Sequence, residues 1–372
     1  MREQFRASML FDGERLHRNA VLCVEDGMVA SIEPDGSGTR SEGVIAPGFI
    51  DLQVNGGGGL MVGGAIGVEG LARVCAVHAR LGATGILPTL ITDTPEATVA
   101  VIAAGVEAAR RGVDGFLGLH LEGPHLDPRR KGAHDPRLIR PMSETDLDRL
   151  CDAAGKLPAL MVTVAPEAVT ETQIAQLAAA GAVVSLGHSD CSAAVAQKAM
   201  TAGARCATHL FNAMSQLGNR EPGLVGAILA GEASAGVIAD GIHVAPEVLR
   251  IALAARPKGL FLVSDAMAVA GTSLGQFTLG DRQILRGEGR LTLADGTLAG
   301  ADLTLAEAVS VLVRAAGASP ERALAMATSI PAAVIGAGGR AGTLAEGRAA
   351  NFVRLGSDWT LQQVWLRGAP LL

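Results

Sequence analysis

The chain has 372 residues, 49% of them hydrophobic and 18% charged, with 31 basic against 37 acidic side chains and a net charge of −6. That composition supports a large core and excludes a disordered chain, and without a long run of Lys or Arg it argues against a nucleic-acid partner. No apolar stretch reaches the ~18 residues of a membrane span, and the opening "MREQFRASMLFDGERL" lacks the apolar centre of a signal peptide, so a soluble cytoplasmic protein is expected.

Residues 1 to 46, including "AVLCVEDGMVASIEPDG", show turn-punctuated alternation of the kind that makes antiparallel strands. From Phe49 onward, short apolar runs alternate with Ala-rich stretches of helical period, the pattern of a parallel sheet with crossover helices. The runs are "GFIDLQVN" (48–55), "TGILPTLIT" (84–92), "GFLGLHLEG" (115–123), "ALMVTVAP" (159–166), "AVVSLGHS" (182–189), "CATHLFNA" (206–213), "AGVIADG" (235–241) and "LFLVSDA" (260–266). Eight such runs close a (β/α)₈ barrel. Helix starts support the reading: Pro95 opens "PEATVAVIAAGVEAARRG", and Ser143 with Asp146 three positions on caps "SETDLDRLCDAAG". "VEGLARVCAVHARLG" and "PEVLRIALAA" are further helices, and two more, "ADLTLAEAVSVLVRAAG" and "SPERALAMATSIPAAVIG", follow the last strand. Strand-like alternation returns in 340–372. The expected architecture is therefore an α/β TIM-type barrel over 47–339, with 1–46 and 340–372 assembling a small β-sandwich domain. The cysteines (Cys23, Cys75, Cys151, Cys191, Cys206) form no CxxC pair and read as buried free thiols.

In such a barrel the active site forms at the C-terminal ends of the strands. There the sequence places Gln53 and Asn55 on strand one, Glu122 on strand three flanked by His120 and His125, His188 on strand five, His209 and Asn212 on strand six, Asp240 with His243 on strand seven, and Asp265 on strand eight. Singly, a strand-end His is more often a hydrogen-bonded structural residue, and an Asp often caps a helix. Together, one carboxylate and two imidazoles from strands three, five and six can converge on the barrel axis and leave a coordination position open, the layout of a catalytic metal site. Glu122, His188 and His209 are the predicted ligands. A cation there lowers the pKa of water from 15.7 toward about 7, and Asp265 opposite is the predicted general base, able to return the proton to a leaving group.

His17 and His78 fall in the terminal annex and an outer helix, where surface or packing roles are expected. His134, in "RRKGAHDP" beside Arg129, Arg130 and Lys131, lies on the loop after strand three. That loop reads equally as a solvated basic face or as a lid over an anionic substrate.

The motifs "APGFIDLQVNG" (46–56), "HLEGPHL" (120–126), "KGAH" (131–134), "LGHS" (186–189), "THLFNAM" (208–214), "REPGLVGAIL" (220–229), "ADGIHV" (239–244), "VSDAMA" (263–268), "GTLAG" (296–300) and "GTLAEGRAANFV" (342–353) resemble those of the N-acetylglucosamine-6-phosphate deacetylases of the amidohydrolase superfamily. The resemblance spans nearly the whole chain. It implies hydrolysis of the acetamide of N-acetylglucosamine 6-phosphate to glucosamine 6-phosphate and acetate, in amino-sugar catabolism and cell-wall recycling. Position by position, it implies Glu122, His188 and His209 as ligands of one divalent metal per subunit, with Zn²⁺ first among Zn²⁺, Fe²⁺, Co²⁺ and Mn²⁺. It likewise implies Asp265 as acid/base, His243 as the group polarising the substrate carbonyl, His134 as a sugar contact, and Asn212 with the backbone of Ala213 as part of the phosphate site. Arg220 matches an arginine that reaches the phosphate of a neighbouring subunit, implying a homodimer; the charge balance and hydropathy already argue against a nucleic-acid or membrane partner.

Rival readings share the barrel. A cyclic-amide hydrolase usually carries His-x-His on strand one and a bridging lysine on strand four, but "ALMVTVAP" has no lysine. An N-acetylgalactosamine-6-phosphate deacetylase is closer, and a non-enzymatic barrel that has lost its metal is the most distant. Gln53 and Asn55 stand where His-x-His is common. Neutral amides are poor Zn²⁺ ligands but good partners for water, so they are expected to hold a water in place of a second metal, as in the single-metal members of the family.

Overall fold

The structure is a computed structural model and describes residues 2–35 and 42–371. Eight parallel strands follow one another around the barrel in chain order: Phe49–Val54, Ala83–Ile91, Leu119–Glu122, Leu160–Val164, Val183–Leu186, Cys206–Ala207, Ser234–Val237 and Leu260–Leu262. These are the eight predicted runs, buried on both faces as parallel strands between helices must be. The seam between first and eighth strands is closed partly by a side chain. Asp265 N–H donates to the Gln53 carbonyl (3.1 Å), Asn55 N–H donates to the Ala266 carbonyl (2.8 Å), and Ser264 N–H donates to both carboxylate oxygens of Asp51 (3.2 Å each). Burial pushes the Asp51 carboxyl up to about 7, against the hydrogen bonds it accepts.

The crossover helices start as their sequences direct. Thr94 caps Pro95–Arg111, and Ser143 with Asp146 forms a complete capping box on Glu144–Lys156. "SPERALAMATSIPAAVIG" is two helices, Pro320–Ala327 and Ser329–Val334, rather than one. Thr328 breaks them apart with φ −134°, its buried hydroxyl donating to the Leu324 carbonyl at 2.7 Å.

Strands from both termini form one seven-stranded sheet, ordered Ala369–Pro370, Leu361–Leu366, Phe352–Leu355, Val44–Pro47, Arg2–Phe11, Leu16–Glu25, Met28–Pro34. All neighbours are antiparallel except Arg2–Phe11 with Val44–Pro47. Its centre is aromatic: Phe352 stacks on Trp365 with centroids 4.5 Å apart, and Phe5 meets both edge-on.

A second antiparallel sheet had no counterpart among the predicted elements. Gln276–Leu279, Arg282–Gly287, Arg290–Thr292 and Leu298–Ala301 rise from the loop after the eighth strand around a small core of Met267, Val269, Leu279, Ile284, Leu291 and Ala299. Arg282 ties this sheet to the loop after strand three by donating to the Ala133 carbonyl at 2.6 Å. Among the described residues, no helix is long and apolar enough to cross a membrane.

Candidate active site

Several residues predicted to end strands lie beyond them. His188 and His209 sit two residues past the fifth and sixth strands, and Asp240 and Asp265 three past the seventh and eighth. The backbone there leaves the strand conformation: φ is 48° at His188, 32° at His209 and 51° at Asp265, with Phe211 and Ala213 also positive. Left-handed backbone is costly for residues with a side chain and concentrates at functional sites. Here the side chains it carries line a cavity of about 380 Å³ at the barrel mouth, bordered by Asn55, Glu122, His134, His188, His209, Asn212, Ala213, His243 and Asp265. A larger cleft of about 830 Å³ lies at the opposite strand ends beside Arg205 and Glu232 and touches none of the predicted site residues.

Glu122 Oε1, His188 Nε2 and His209 Nε2 converge, with separations of 3.0 Å (Glu122 to His209), 3.1 Å (Glu122 to His188) and 3.1 Å between the two nitrogens. His188 Nδ1 donates to the Arg130 carbonyl at 2.8 Å, so in the neutral ring Nε2 keeps its lone pair, the tautomer a metal ligand needs. Electron pairs from a carboxylate and an imidazole aimed at one point repel unless a proton or a cation lies among them. The donor set therefore fits a divalent cation. Burial alone would raise the Glu122 carboxyl, but the hydrogen bonds and charge of His188 and His209 hold it well below its ordinary range. Burial likewise works against the charged form of His209, yet Glu122 and Asp265 leave that imidazole raised.

His134 also comes close; its ligand atom, with those of Glu122 and His188, falls within a 4.8 Å cluster. Its partners assign it a different part. The Thr92 backbone N–H donates to Nδ1 at 3.2 Å, the Thr92 hydroxyl lies 2.7 Å from the same nitrogen, and burial, with the nearby charge of His188, pushes the ring down to about 3. Neutral His134 therefore carries its proton on Nε2, 3.8 Å from Glu122 Oε2, and presents a donor to the cavity rather than a lone pair.

Asp265 accepts from Gln53 Nε2 (3.1 Å) and Asn55 Nδ2 (2.7 Å), and Gln53 Nε2 also lies 3.2 Å from Glu122 Oε1. The strand-one amides thus spend their N–H groups on the two carboxylates. Burial and the Glu122 charge nevertheless push Asp265 up to about 6, against His209 and Asn55. On the far side, His243 Nδ1 donates to Asp240 Oδ2 at 2.6 Å; burial raises the Asp240 carboxyl, but this hydrogen bond, the His243 charge and the backbone N–H groups of Ile242 and His243 together hold it below its usual value.

Other predicted residues fall elsewhere. His120 and His125 do not line the cavity: His120 bonds the Leu52 carbonyl and the Thr163 hydroxyl inside the barrel, and His125 bonds the Arg140 carbonyl. His78 is buried against the glycine loop, its Nε2 2.8 Å from the Gly56 carbonyl. Arg220 is exposed on the loop after strand six, outside the cavity. Arg129, Arg130, Gly132 and Ala133 border the cavity, with Arg130 paired to Asp190. Ile91, Ile238, Met267, Thr297, Leu298 and Gly300 complete the wall and carry no reactive group that sequence reasoning could select. The hairpin turns of "LGDRQILRGEGRLTLADG" are the signal that would have located the sheet bringing three of them there.

Residues 44–369 match the model of the Amidohydrolase family. The chain is 41% identical to an N-acetylgalactosamine-6-phosphate deacetylase of Shewanella sp., covering 89% of this chain and 84% of that protein. It is 35% identical to the human N-acetylglucosamine-6-phosphate deacetylase, covering 98% and 91%. Among solved structures, the N-acetylglucosamine-6-phosphate deacetylase from Pasteurella multocida superposes with a TM-score of 0.91 at 31% identity over 99% of both chains. A Mycobacterium smegmatis enzyme of the same name, in complex with N-acetyl-D-glucosamine-6-phosphate, gives 0.90 at 31% over 100% and 99%.

Proposed function

Since this chain belongs to the amidohydrolase family, we propose that it hydrolyses the acetamide of N-acetylglucosamine 6-phosphate, releasing glucosamine 6-phosphate and acetate in amino-sugar catabolism. The observation that carries the reading is the convergence of Glu122, His188 and His209 within 3.0–3.1 Å, with Asp265 beside them. These three side chains would hold one divalent cation per subunit, with Zn²⁺ the first choice for a mixed carboxylate and imidazole set.

Such a cation supplies Lewis-acid polarisation of the amide oxygen and acidifies water. Asp265 takes the proton of the attacking water and delivers it to the departing amine nitrogen. With its carboxyl raised to about 6, it is basic enough for the first step and acidic enough for the second. His243, anchored by Asp240, faces the amide oxygen from the opposite wall, where charge develops. His134 Nε2–H donates to a sugar hydroxyl. Asn212 and the backbone of Ala213 contribute to the phosphate site, and Arg220 reaches the phosphate in the neighbouring subunit of a homodimer, a task suited to a guanidinium. Binding at the phosphate breaks no bond but holds the amide at reacting geometry. Gln53 and Asn55 replace a second cation: their amide donors stabilise the carboxylate charge that another ion would neutralise, and with one water they fill its place.

The galacto epimer is the second reading, favoured by the 41% identity to the Shewanella enzyme. Acetate release from N-acetylglucosamine 6-phosphate, N-acetylgalactosamine 6-phosphate and the two unphosphorylated sugars separates the readings. Turnover of one phosphorylated epimer well above the other assigns the substrate, and equal turnover with and without phosphate removes the phosphate site.

A further inference from the structure

Below the site residues the barrel interior holds a second polar layer that the reaction does not touch. His120, Thr163, Ser185 and Thr208 are 1%, 0%, 0% and 4% exposed, and none lines the mouth cavity. They form one hydrogen-bonded chain. His120 Nδ1 lies 3.0 Å from the Leu52 carbonyl and its Nε2 2.7 Å from the Thr163 hydroxyl; Thr163 lies 2.6 Å from the Thr208 hydroxyl, and Thr208 2.7 Å from that of Ser185. The chain links strands one, three, four, six and five.

Its donor order is determined. A carbonyl only accepts, so His120 Nδ1–H donates to Leu52. A buried imidazole whose two partners are a carbonyl and a hydroxyl stays neutral, so Nε2 accepts from Thr163. Thr163 has then given its single proton and accepts from Thr208, which in turn accepts from Ser185.

Three of the links lie just before site residues. Leu52 stands before Gln53, Thr208 before His209, and His120 two residues before Glu122. Gly187, before His188, belongs by contact: a Cβ there would lie 3.0 Å from both Thr163 Cγ2 and Thr208 Cβ, so the backbone entering His188 rests on these threonines. Immediately beyond, His188 and His209 adopt φ of 48° and 32°. Such a conformation is unfavourable for a residue with a side chain and persists only where its surroundings over-determine it.

We propose that this chain is a positioning layer for the metal ligands, holding His188 and His209 in their left-handed conformation so that their Nε2 atoms stay convergent with Glu122. The proposal rests on the assignment of those three residues as ligands. His120, Thr163, Thr208 and Ser185 are positioning residues; they act by keeping the ligand geometry assembled before the cation arrives.

Thr163→Val and Thr208→Val remove the hydroxyls at nearly constant volume, and Thr208→Ser retains its hydroxyl together with the Cβ that faces Gly187. Zn²⁺ dissociation constants, measured by competition with a chromophoric chelator on metal-stripped protein, are expected to rise about 10–100-fold in the valine variants and to stay at the wild-type value in Thr208→Ser. KM for the sugar phosphate at saturating metal should stay unchanged. Folded valine variants that bind Zn²⁺ as tightly as wild type overturn the proposal. Should they fail to fold, ¹⁵N spectra of the intact wild-type protein decide: His120 is expected protonated at Nδ1 and bare at Nε2, and a proton on Nε2 breaks the donor order. Wild-type protein that binds no Zn²⁺ overturns the ligand assignment itself, an outcome distinct from equal binding by wild type and variants.

Discussion

The barrel mouth and the terminal sheet differ in what they bury. The sheet buries an aromatic cluster, Phe5, Phe352 and Trp365, within regular ladders, where packing and hydrogen bonding agree. The mouth buries Glu122 and Asp265 together with His134, His188 and His209, and bends the chain into left-handed backbone at His188, His209, Phe211, Ala213 and Asp265. Burying like charges and unfavourable φ values is unfavourable for folding. The mouth is therefore a region where stability is given up for chemistry, and the sheet is one where nothing but stability is gained.

Asp265→Asn should break the mouth's chemistry most completely, lowering kcat by about 10³-fold or more as general base and acid are both lost, while thermal unfolding and bound metal stay near wild type. In the unaltered protein, kcat/KM should fall as pH drops through about 6, the value to which burial and Glu122 raise Asp265. A profile flat down to pH 5 would remove Asp265 from the role.

Phe352→Ala tests the other side of the contrast. Losing a fully buried ring stacked on Trp365 should cost about 3–5 kcal/mol in denaturant unfolding, with kcat preserved below the melting transition. A large loss of kcat in the still-folded variant would mean that the two regions are not separate.

A smaller effect is expected at the seam. The Asp51 carboxyl sits at about 7 when folded, against 3.8 unperturbed. A carboxyl raised by folding contributes stability that is fully present below pH 3.8 and lost as pH rises through about 7. Metal-free protein should therefore lose on the order of 2–4 kcal/mol of stability between pH 4 and pH 8 through this group. Asp51→Asn keeps an oxygen for the Ser264 N–H and should flatten the dependence; an unchanged slope would assign it to other groups.

The same contrast explains what the amino-acid sequence discloses. Parallel strands covered on both faces appear as nearly continuous apolar runs such as "ALMVTVAP", broken only by Thr163, so the barrel is legible. The sheet at 276–301 has short, half-exposed strands whose alternation resembles loop. At the mouth, residue type is enough to pick out Glu122, His188, His209 and Asp265, because carboxylates and imidazoles at successive strand ends have few structural uses. It cannot separate His120, His125 and His134. What separates them is the partner of Nδ1, a carbonyl for the first two and the Thr92 N–H for the third, a contact across 42 residues in that last case. Gln53 and Asn55 are visible as a departure from His-x-His, but the two carboxylates that receive their N–H groups emerge only when the barrel closes.

In the proposed reading the barrel mouth is a single-cation deacetylase site in which amides stand where a second ion would be. Stepwise addition of Zn²⁺ to metal-free protein, with initial rates of acetate release from N-acetylglucosamine 6-phosphate at each step, counts the cations that turnover needs. No turnover is expected without metal, followed by a linear rise that ends at one equivalent per chain; undiminished turnover in the stripped protein, or a rise that continues to two equivalents, would rule out the one-cation site.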